Sequence, residues 1–284
     1  VGAIEISLSD IFQIFLNQLG LRSSDVSATQ ALVLTEFRLP RLIFTLLIGA
    51  ALGVSGAALQ GLFRNPLVEP GIIGVSSGAA LGAIFIILGL ESFIGNIPAQ
   101  YEQWIMPPFA FIGGAIATYT TLKLANYKGR VRTTILILAG VAITSLASAM
   151  IGLGIFFSDD EQLRTFTFWT LGDLSTATWQ KVYVITLPIL STIAGLGYYA
   201  KSLNALALGE SEAYHSGVNV EKVKKSVVLL SAVAVGTAVA FAGIIGFLGL
   251  VIPHIIRMTM SSDHRILIPA SALGGALLLI LADI

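Results

Sequence analysis

The reactive side chains of this sequence do not form the patterns that catalysis requires. No Gly-x-x-x-x-Gly-Lys-Ser/Thr phosphate loop occurs, so the chain does not bind ATP by that device, and any use of ATP must belong to a partner. The absence of cysteine excludes disulfides, thiolate metal sites and cysteine nucleophiles. The histidines, His215, His254 and His264, lack a repeated metal-ligand spacing. The sequence therefore predicts neither an enzyme nor a metal or cofactor site.

A pair of arginines is the charged group whose position is most distinctive. Arg38 and Arg41 stand just before an uncharged stretch that runs from Leu42 to Phe63. An Asn-Pro turn and a second, glycine-rich apolar stretch follow it. A basic pair at such a place either anchors a helix end at the lipid interface or performs a function there. The side of the membrane on which the pair lies bears on that choice.

The elements that position these residues are membrane-spanning helices. Of the 284 residues, 55% are hydrophobic and only 11% are charged. The chain cannot bury so many apolar residues inside one water-soluble core. The net charge of zero does not suggest a nucleic-acid partner or a polybasic lipid-binding tail. Crossing the hydrocarbon layer of about 30 Å takes about 20 apolar residues. The uncharged runs that meet or approach this length are 42–63, 71–90, 103–122, 133–158, 182–200, 226–253 and 266–282.

The run 226–253 is longer than one ordinary span. Glycines at 243, 246 and 249 interrupt its middle and Pro253 follows, so we interpret it as two short passes with a break near Gly243 to Gly246. The sequence thus predicts an all-α, polytopic transmembrane helical bundle with about eight spans.

Glycine spacing indicates how closely the predicted spans pack. Gly49 and Gly53, and then Gly74, Gly78 and Gly82, recur every four residues. Such a stripe lets two helix backbones approach each other. Ordinary helix packing explains any one pair, and five glycines in two consecutive spans favour a compact bundle.

The distribution of charge predicts the orientation of the spans. Eleven of the sixteen lysines and arginines fall in the alternate connections 61–70, 123–132, 201–225 and 254–265. The positive-inside bias places these connections in the cytoplasm. Arg38 and Arg41 then lie on the outer face, against the bias, which makes them candidates for a function there.

The longest connection on the predicted cytoplasmic side is 201–225. Exposure of its leucines, Leu203, Leu206 and Leu208, to solvent would be unfavourable, whereas a helix that docks on another protein would bury them. The alternative is a solvated connector.

The motifs of the chain together resemble one membrane-protein family. They are RLPRLIFTLLIGAALGVSGAALQGLFRNPLVEPGIIGVSSGAALG, LILAGVAI, LALGESEAYHSGV and GIIGFLGLVIPHIIRMTMSSDHRILIPASALGGALLLILAD. In these segments the chain resembles the FecCD-type permeases, the membrane subunits of type II ABC importers for iron chelates, haem and cobalamin. The resemblance covers essentially the whole chain.

The resemblance implies a fold and a set of partners. Such permeases usually have ten helices, so residues 1–284 are expected to form one permease domain that lacks the first and last of them. Two permease copies pair, here as an expected homodimer, in the bacterial inner membrane. A cytoplasmic ATP-binding subunit lies below and a periplasmic or lipoprotein substrate-binding protein above. No cofactor is implied.

The resemblance also implies roles for particular residues. Arg38 and Arg41 match the paired arginines that meet acidic residues of the binding protein. Asn65, Pro66, Glu69, Pro70 and Gly71 match the turn that leads to the next helix. Val75, Ser76 and Ser77 match a stretch near the cytoplasmic gate, and Thr144 matches a second narrow point of the pathway. The predicted ATPase-coupling segment, 201–225, contains Leu203, Leu206, Leu208, Gly209, Glu210 and Gly217.

The cargo is harder to predict than the mechanism. The segment QLRTFTFWTLGDLSTATW, residues 162–179, resembles the outer segment of haem permeases more than that of siderophore or cobalamin permeases. Haem is therefore the first expectation, and a ferric siderophore or cobalamin is the alternative.

Two other classes of membrane protein remain as alternatives. An ion-coupled secondary transporter needs no ATPase and predicts ionisable residues within its spans, which are missing near the middle of these. A purely structural membrane subunit would need neither the outward arginines nor the glycine-bearing segment 201–225.

Overall fold

The protein is a bundle of α-helices, as the sequence predicts. The computed structural model describes residues 7–18, 27–94, 101 and 103–284, so parts of the predicted domain 1–284 lie outside the described residues. In chain order the helices are α1 (Leu8–Gln18), α2 (Ala28–Leu32), α3 (Leu39–Phe63), α4 (Val75–Ile94), α5 (Met106–Ala125), α6 (Thr133–Phe157), α7 (Asp160–Leu171), α8 (Trp179–Tyr198), α9 (Ala200–Leu208), α10 (Glu210–His215), α11 (Val220–Ala242), α12 (Leu248–Thr259) and α13 (His264–Asp283).

Three smaller elements connect these helices. A π-helical turn, Val33–Arg38, joins α2 to α3, and a 3-10 helix, Pro70–Ile73, precedes α4. Strands β1 (Asn126–Tyr127) and β2 (Arg130–Val131) form an antiparallel hairpin between α5 and α6.

Each uncharged run of the sequence lies within or overlaps a helix. Among the described helices, five segments are long and apolar enough to cross a membrane. These are Ala28–Phe63, which includes α3, and the helices α6, α8, α11 and α13. Helix α4 contains a shorter apolar stretch, and α12 is itself a shorter apolar helix. A multi-pass membrane protein follows from this pattern.

The run 226–253 is broken where the glycines predict a break, but its two halves are unequal. Helix α11 ends at Ala242 and α12 begins at Leu248. Because α11 starts at Val220, inside the charged stretch, its 23 residues extend about 34 Å, enough for a full crossing. The 12 residues of α12 extend only about 18 Å. The expectation of two short passes was therefore wrong for the first pass and right for the second.

Helix α3 is the centre of the bundle and packs antiparallel against α13. A side chain at Gly49 would collide with the backbone of Gly275, and one at Gly53 with the carbonyl of Ser271. Farther along α3, Gly61 faces the ring of His264. Only residues without a side chain permit this contact between backbones, so the predicted glycine stripe of α3 is a packing surface.

Helices α4 and α5 form a second close pair. A side chain at Gly78 would overlap the backbone of Gly113, and one at Gly82 the carbonyl of Phe109. Gly74, expected in the same helical stripe, lies outside it. It has a left-handed backbone (φ 83°) between the 3-10 helix and the start of α4 at Val75, where the chain turns.

The connection between α3 and α4 turns back into the bundle. We call residues 64–74 the re-entrant segment. Its Pro70 packs on Gly249 at the start of α12, and Gly249 in turn lies against Leu52 and Gly56 in the second half of α3. Gly56 and Leu52 are 7 and 11 residues before the end of α3, so Gly249, which Pro70 contacts, lies about 10–16 Å back along that helix.

The described bundle has two distinct ends. At the α7 end, the indole of Trp179 donates to the carbonyl oxygen of Thr35, 2.8 Å away, and the start of α3 meets the end of α13. At the α9 end lie α9, α10, the β-hairpin, the end of α3 and the start of α13. These two ends hold the predicted functional residues apart.

Candidate functional site

At the α7 end, Arg41 is engaged within the chain. Its Nε donates to Asp283 Oδ2 at 2.8 Å and its Nη2 donates to Oδ1 at 2.6 Å, a bidentate pair that ties the start of α3 to the end of α13. The side chain of Arg41 is 42% exposed, so it also faces outward. The sequence did not predict this pair, because 242 residues separate its members.

Arg38 closes the π-helical turn one helical turn before Arg41. The π turn and α3 run on without a break, which places both arginines at the same end of one rod. The side chain of Arg41 also lies within the electrostatic reach of Asp173, in the loop after α7. This end therefore combines basic and acidic groups on three elements.

The two predicted gate elements meet in the structure. The hydroxyls of Ser77 in α4 and Thr144 in α6 are 3.1 Å apart, although 67 residues separate them in the chain. Ser77 also donates to the carbonyl oxygen of Gly74 at 3.1 Å. Val75 is fully buried, while Ser76, Ser77 and Thr144 are half-buried. The hydroxyl pair thus joins the first turn of α4 to α6 at a partly open surface.

A half-buried carboxylate, which the sequence marks only as part of a turn, bonds to the break between α11 and α12. Glu69, in the re-entrant segment, accepts a hydrogen bond from the backbone N–H of Phe247 at 3.0 Å. Phe247 precedes α12, has a left-handed backbone (φ 63°) and exposes 74% of its surface. A bulky residue in this conformation is strained. Glu69 therefore helps to hold the break between α11 and α12.

Gln60 of α3 also connects the re-entrant segment with α12. Its side-chain amide donates to the carbonyl oxygens of Val68, at 3.3 Å, and Leu250, at 3.2 Å. Its oxygen accepts from Arg257 Nη1 at 3.0 Å. One buried side chain thus links α3, the re-entrant segment and α12, and an uncharged glutamine within an apolar run gave only a weak signal for this role.

At the α9 end, the segment 201–225 is not an irregular loop. It consists of most of α9, all of α10 and the first turns of α11. Gly209 (φ 133°) and Gly217 (φ 85°) both occupy positive φ, and they make the turns on either side of α10. The predicted turns are therefore present between short helices.

The three leucines of this segment do not share one environment. Leu203 and Leu206 are 0% and 2% exposed, because residues three apart share a helix face and this face packs onto the bundle. Leu208, on the other side, is 78% exposed. The expectation that all three offer a docking surface was therefore wrong for Leu203 and Leu206, which attach α9 to the permease itself.

A buried lysine organises the base of α10. Lys224 in α11 donates to the carbonyl oxygen of Val131 at 2.7 Å and pairs with Glu210 at 2.7 Å. Glu221 accepts from the N–H of Val131 at 2.6 Å. Predicted coupling residue Glu210 thus fixes α10 to α11 and, through Lys224, to the β-hairpin. A groove of about 880 Å³ opens beside this network, lined in part by Arg130, Tyr214 and His215.

The start of α13 is tied to α9 in the same region. Asn204 donates to Asp263 at 2.6 Å and accepts from the backbone N–H of His264 at 2.9 Å. The guanidinium of Arg265 and the amide of Asn204 hold the pKa of the Asp263 carboxyl well below its usual range. Asp263 therefore stays charged and caps α13.

The three histidines lie in three different helices. His215 ends α10, His254 lies within α12, and the Nδ1 of His264 is 2.7 Å from Asn204 Oδ1. Among the described residues, no group of three or more histidine, aspartate or glutamate side chains is arranged to hold a metal ion.

Comparison with known proteins gives consistent matches along the whole chain. The model of the FecCD transport family matches residues 1–284. The hemin transport system permease protein HmuU of Yersinia pestis is 45% identical over 249 residues, which cover 87% of this chain and 73% of that protein. The vitamin B12 import system permease protein BtuC of Salmonella typhi is 39% identical over 259 residues, covering 91% of this chain and 76% of the relative.

A cobalamin permease from an archaeon and one solved structure complete the comparison. The cobalamin import system permease protein BtuC of Halobacterium salinarum is 36% identical, covering 91% of this chain and 67% of the relative. A structure described as an inward-facing conformation of a metal-chelate type ABC transporter superposes with a TM-score of 0.82 at 32% identity. It covers 96% of this chain and 86% of the solved one.

Proposed function

Because the chain belongs to the FecCD transport family and is the membrane permease of an ABC importer, we propose that its cargo is an iron chelate, with haem in first place. The observation that supports haem is the 45% identity with a hemin permease, against 36% and 39% for two cobalamin permeases. A ferric siderophore or cobalamin, moved by the same mechanism, is the second candidate.

The permease works in the bacterial inner membrane with its α7 end outward. The excess of basic residues in the connections at the α9 end supports this orientation. Arg38 and Arg41 then face the periplasm and receive acidic side chains of the substrate-binding protein. The 42% exposure of the Arg41 side chain supports a contact in addition to its bond with Asp283.

The translocation pathway narrows at the pair formed by Ser77 and Thr144. A hydrogen bond between two small hydroxyls, worth about 0.5–1.5 kcal/mol net, can break and form again in each transport cycle. Val75 and Ser76 belong to the same turn of α4. This pair is the place where α4 and α6 separate to let cargo pass.

The energy for transport comes from ATP hydrolysed by a separate cytoplasmic subunit, which contacts the α9 end. Exposed Leu208 inserts into that subunit, and Gly209 and Gly217 shape the turns beside it. Buried Leu203 and Leu206 pass the movement to the bundle. The network of Lys224 and Glu210 stiffens the contact.

A second copy of the permease completes the pathway. Only 22% of the most apolar stretch of α6 is buried within the chain. Phe156 and Phe157, at the end of that helix, are 79% and 76% exposed. In a homodimer, part of this surface faces the partner copy and the central pathway.

Competition for uptake tests the proposed cargo. The full-length permease, its ATPase and its binding protein are reconstituted in liposomes, and ATP-driven uptake of radiolabelled haem is measured with unlabelled haem, ferrichrome or cobalamin as competitor. We expect only haem to compete effectively. Uptake of labelled ferrichrome or cobalamin, with none of haem, would contradict the haem assignment while leaving the mechanism intact.

A further inference from the structure

A cavity at the α7 end contains a lysine that the proposed function does not use. The cavity has a volume of about 310 Å³ and lies between the start of α5, α7, the start of α8 and the end of α11. Such a volume is at the lower limit for small-molecule sites. It could hold the edge of a chelate or a headgroup, but not a whole macrocycle. The cavity is lined by Lys181 and Asp173 together with aromatic residues Phe168, Trp169 and Phe241.

Most of the Lys181 side chain is buried, and its amino group faces the cavity without a protein partner among the described residues. It is 6% exposed, and within the part of the chain that the structure describes its ammonium group makes no hydrogen bond or ion pair. An ammonium group with little access to water and no partner is costly, so an anion in the cavity would stabilise it. Lys181 is also the third residue of α8, so its charge adds to the positive potential of a helix N-terminus.

Asp173 is the acidic residue beside Lys181 in the cavity, but its carboxylate is too far from the ammonium group to form an ion pair. Its electrostatic effect extends to Lys181, but the two side chains form no ion pair within 4.0 Å. The Oδ1 atom of Asp173 already accepts hydrogen bonds from the backbone N–H and the hydroxyl of Ser175, at 2.7 and 2.6 Å. The ammonium group of Lys181 therefore lies on an inner wall of the cavity without a partner in the described part of the chain, and there is space beside it.

The other walls favour a flat apolar neighbour of the anion. Phe168 exposes 64% of its surface at the mouth, and Trp169 and Phe241 are half-buried. Trp169 stacks on Phe166, and Phe241 lies edge-on to Trp104, so the rings are held in place. Aromatic side chains offer their faces to planar groups.

We propose that this cavity is an oxyanion site, in which the ammonium group of Lys181 binds a carboxylate or phosphate whose apolar body rests against Phe168 and Trp169. Two sources share this chemistry: a carboxylate of the cargo as it enters the outer mouth, and the phosphate of a lipid headgroup. The cargo source rests on the proposed function, because haem has two propionate carboxylates at one edge. The lipid source does not rest on it.

Matched porphyrins test the cargo source. Binding of haemin and of haemin dimethyl ester, which lacks the free carboxylates, is measured on the complex of full-length permease and ATPase, without ATP or binding protein. We expect the wild-type complex to prefer haemin by about tenfold or more, the loss that follows when one charge-assisted hydrogen bond is removed. Lys181→Met should abolish that preference and Lys181→Arg should retain it. Lys123→Met, an exposed lysine of α5, should leave it unchanged.

The phospholipid that copurifies with each complex tests the lipid source. Native mass spectrometry counts the bound lipids. One phospholipid retained by the wild type and lost from Lys181→Met, without discrimination between the porphyrins, would support the oxyanion site and assign it to a headgroup. Because neither assay requires transport, a failure of haem uptake would count against the proposed cargo and leave this inference to be judged on its own.

Thermal unfolding separates an oxyanion site from a structural pair. If Lys181 is unpaired in the empty protein, Lys181→Met should leave the unfolding temperature unchanged or raise it, because a buried charge is removed. If Lys181 and Asp173 instead support each other through water, then Lys181→Met and Asp173→Asn should both lower it. That result, or equal binding of both porphyrins together with equal lipid retention in all variants, would overturn the proposal.

Discussion

At the scale of single residues, Arg41 already has one carboxylate, that of Asp283, and a binding protein would have to add a second. We predict that the double variant Arg38→Glu and Arg41→Glu weakens docking of the substrate-binding protein. An exposed ion pair contributes about 0.2–1 kcal/mol, and reversing two charges adds repulsion, so we expect a loss of about tenfold or more at low salt. The effect should shrink at physiological salt, where the Debye length is about 8 Å.

Binding of the two proteins at low and high salt measures this effect. Arg130→Glu, at the opposite end of the bundle, serves as the matched charge reversal and should not change docking. Asp283→Asn separates the two roles of Arg41, since it removes the intrachain pair and leaves both arginines in place. Unchanged affinity of the double variant at low salt would show that the arginines only fix the end of α3.

The hydroxyls of Ser77 and Thr144 should act as a unit. We predict that Ser77→Ala and Thr144→Val each change thermal stability and uptake, and that the double variant changes them little more than one single variant does. The coupling energy should be about 0.5–1.5 kcal/mol, the net worth of one hydrogen bond. A double-mutant cycle measures it. The control cycle combines Ser191→Ala with Thr144→Val, because the hydroxyl of Ser191 bonds only within α8, and its two effects should be additive. Additive effects of Ser77→Ala and Thr144→Val would show that the two hydroxyls do not act together.

Some of these residues could be found from the sequence and others could not. The family motif pointed to Arg41, Ser77 and Thr144 because their types and neighbours are distinctive. The bond of Asp283 to Arg41, that of Lys224 to Val131 and that of Phe247 to Glu69 join residues between 93 and 242 positions apart, and no local pattern encodes them. No local pattern marks Lys181, because the cavity that it lines lies between residues far apart in the sequence.

At the scale of elements, α9 has an inner and an outer face, and substitutions on the two faces should have different effects. Leu208→Asp places a charge on the exposed face, so the variant should fold and dimerise normally but lose ATP-coupled transport, because an unpaired buried charge costs several kcal/mol at the contact with the ATPase. Leu203→Ala leaves a cavity within the permease and should lower its stability by about 2–5 kcal/mol.

Copurification with the ATPase, ATP-driven uptake and thermal unfolding distinguish the two leucine variants. The expected pattern is lost coupling with unchanged unfolding for Leu208→Asp, and earlier unfolding for Leu203→Ala. Wild-type transport and a normal ATPase ratio in Leu208→Asp would mean that α9 and α10 are only a connector.

The contact between α3 and α13 should tolerate no added side chain. Gly53→Ala would force a methyl group into the carbonyl of Ser271, so we expect a loss of stability of more than about 1–3 kcal/mol, the usual cost of overpacking. Gly152→Ala in α6 is the matched control, because nothing beyond its own turn of helix lies within 4 Å of the added carbon. It should be neutral or stabilising by about 0.5–1 kcal/mol. Thermal unfolding in detergent compares them, and equal unfolding temperatures would contradict the close contact.

The elements themselves were easier to predict than their faces. Uncharged runs and glycines located the helices and the break at 243–247, because length and backbone freedom are local properties. The sequence did not reveal that α11 begins at Val220, since charged residues at a helix end look like a loop, nor which leucines of α9 turn inward. Both depend on what the helix packs against.

At the scale of the whole molecule, the proposed docking residues and the proposed coupling residues lie at opposite ends of the bundle. The α7 end presents Arg38, Arg41 and the Lys181 cavity, and the α9 end presents Leu208 beside a groove of about 880 Å³. Between them, Gln60 and Glu69 join the re-entrant segment to α12. Helix α11 packs against both α9 and α4, so we propose that a movement of α9 reaches the pair of Ser77 and Thr144 through α11.

Uptake into liposomes under separate energy sources tests the central claim of ATP-driven import most directly. The full-length permease, its ATPase and its binding protein are reconstituted, and uptake of labelled haem is measured with ATP, with a non-hydrolysable ATP analogue, and with a proton or sodium gradient alone. We predict accumulation with ATP only. Accumulation driven by an ion gradient without ATP would contradict that claim.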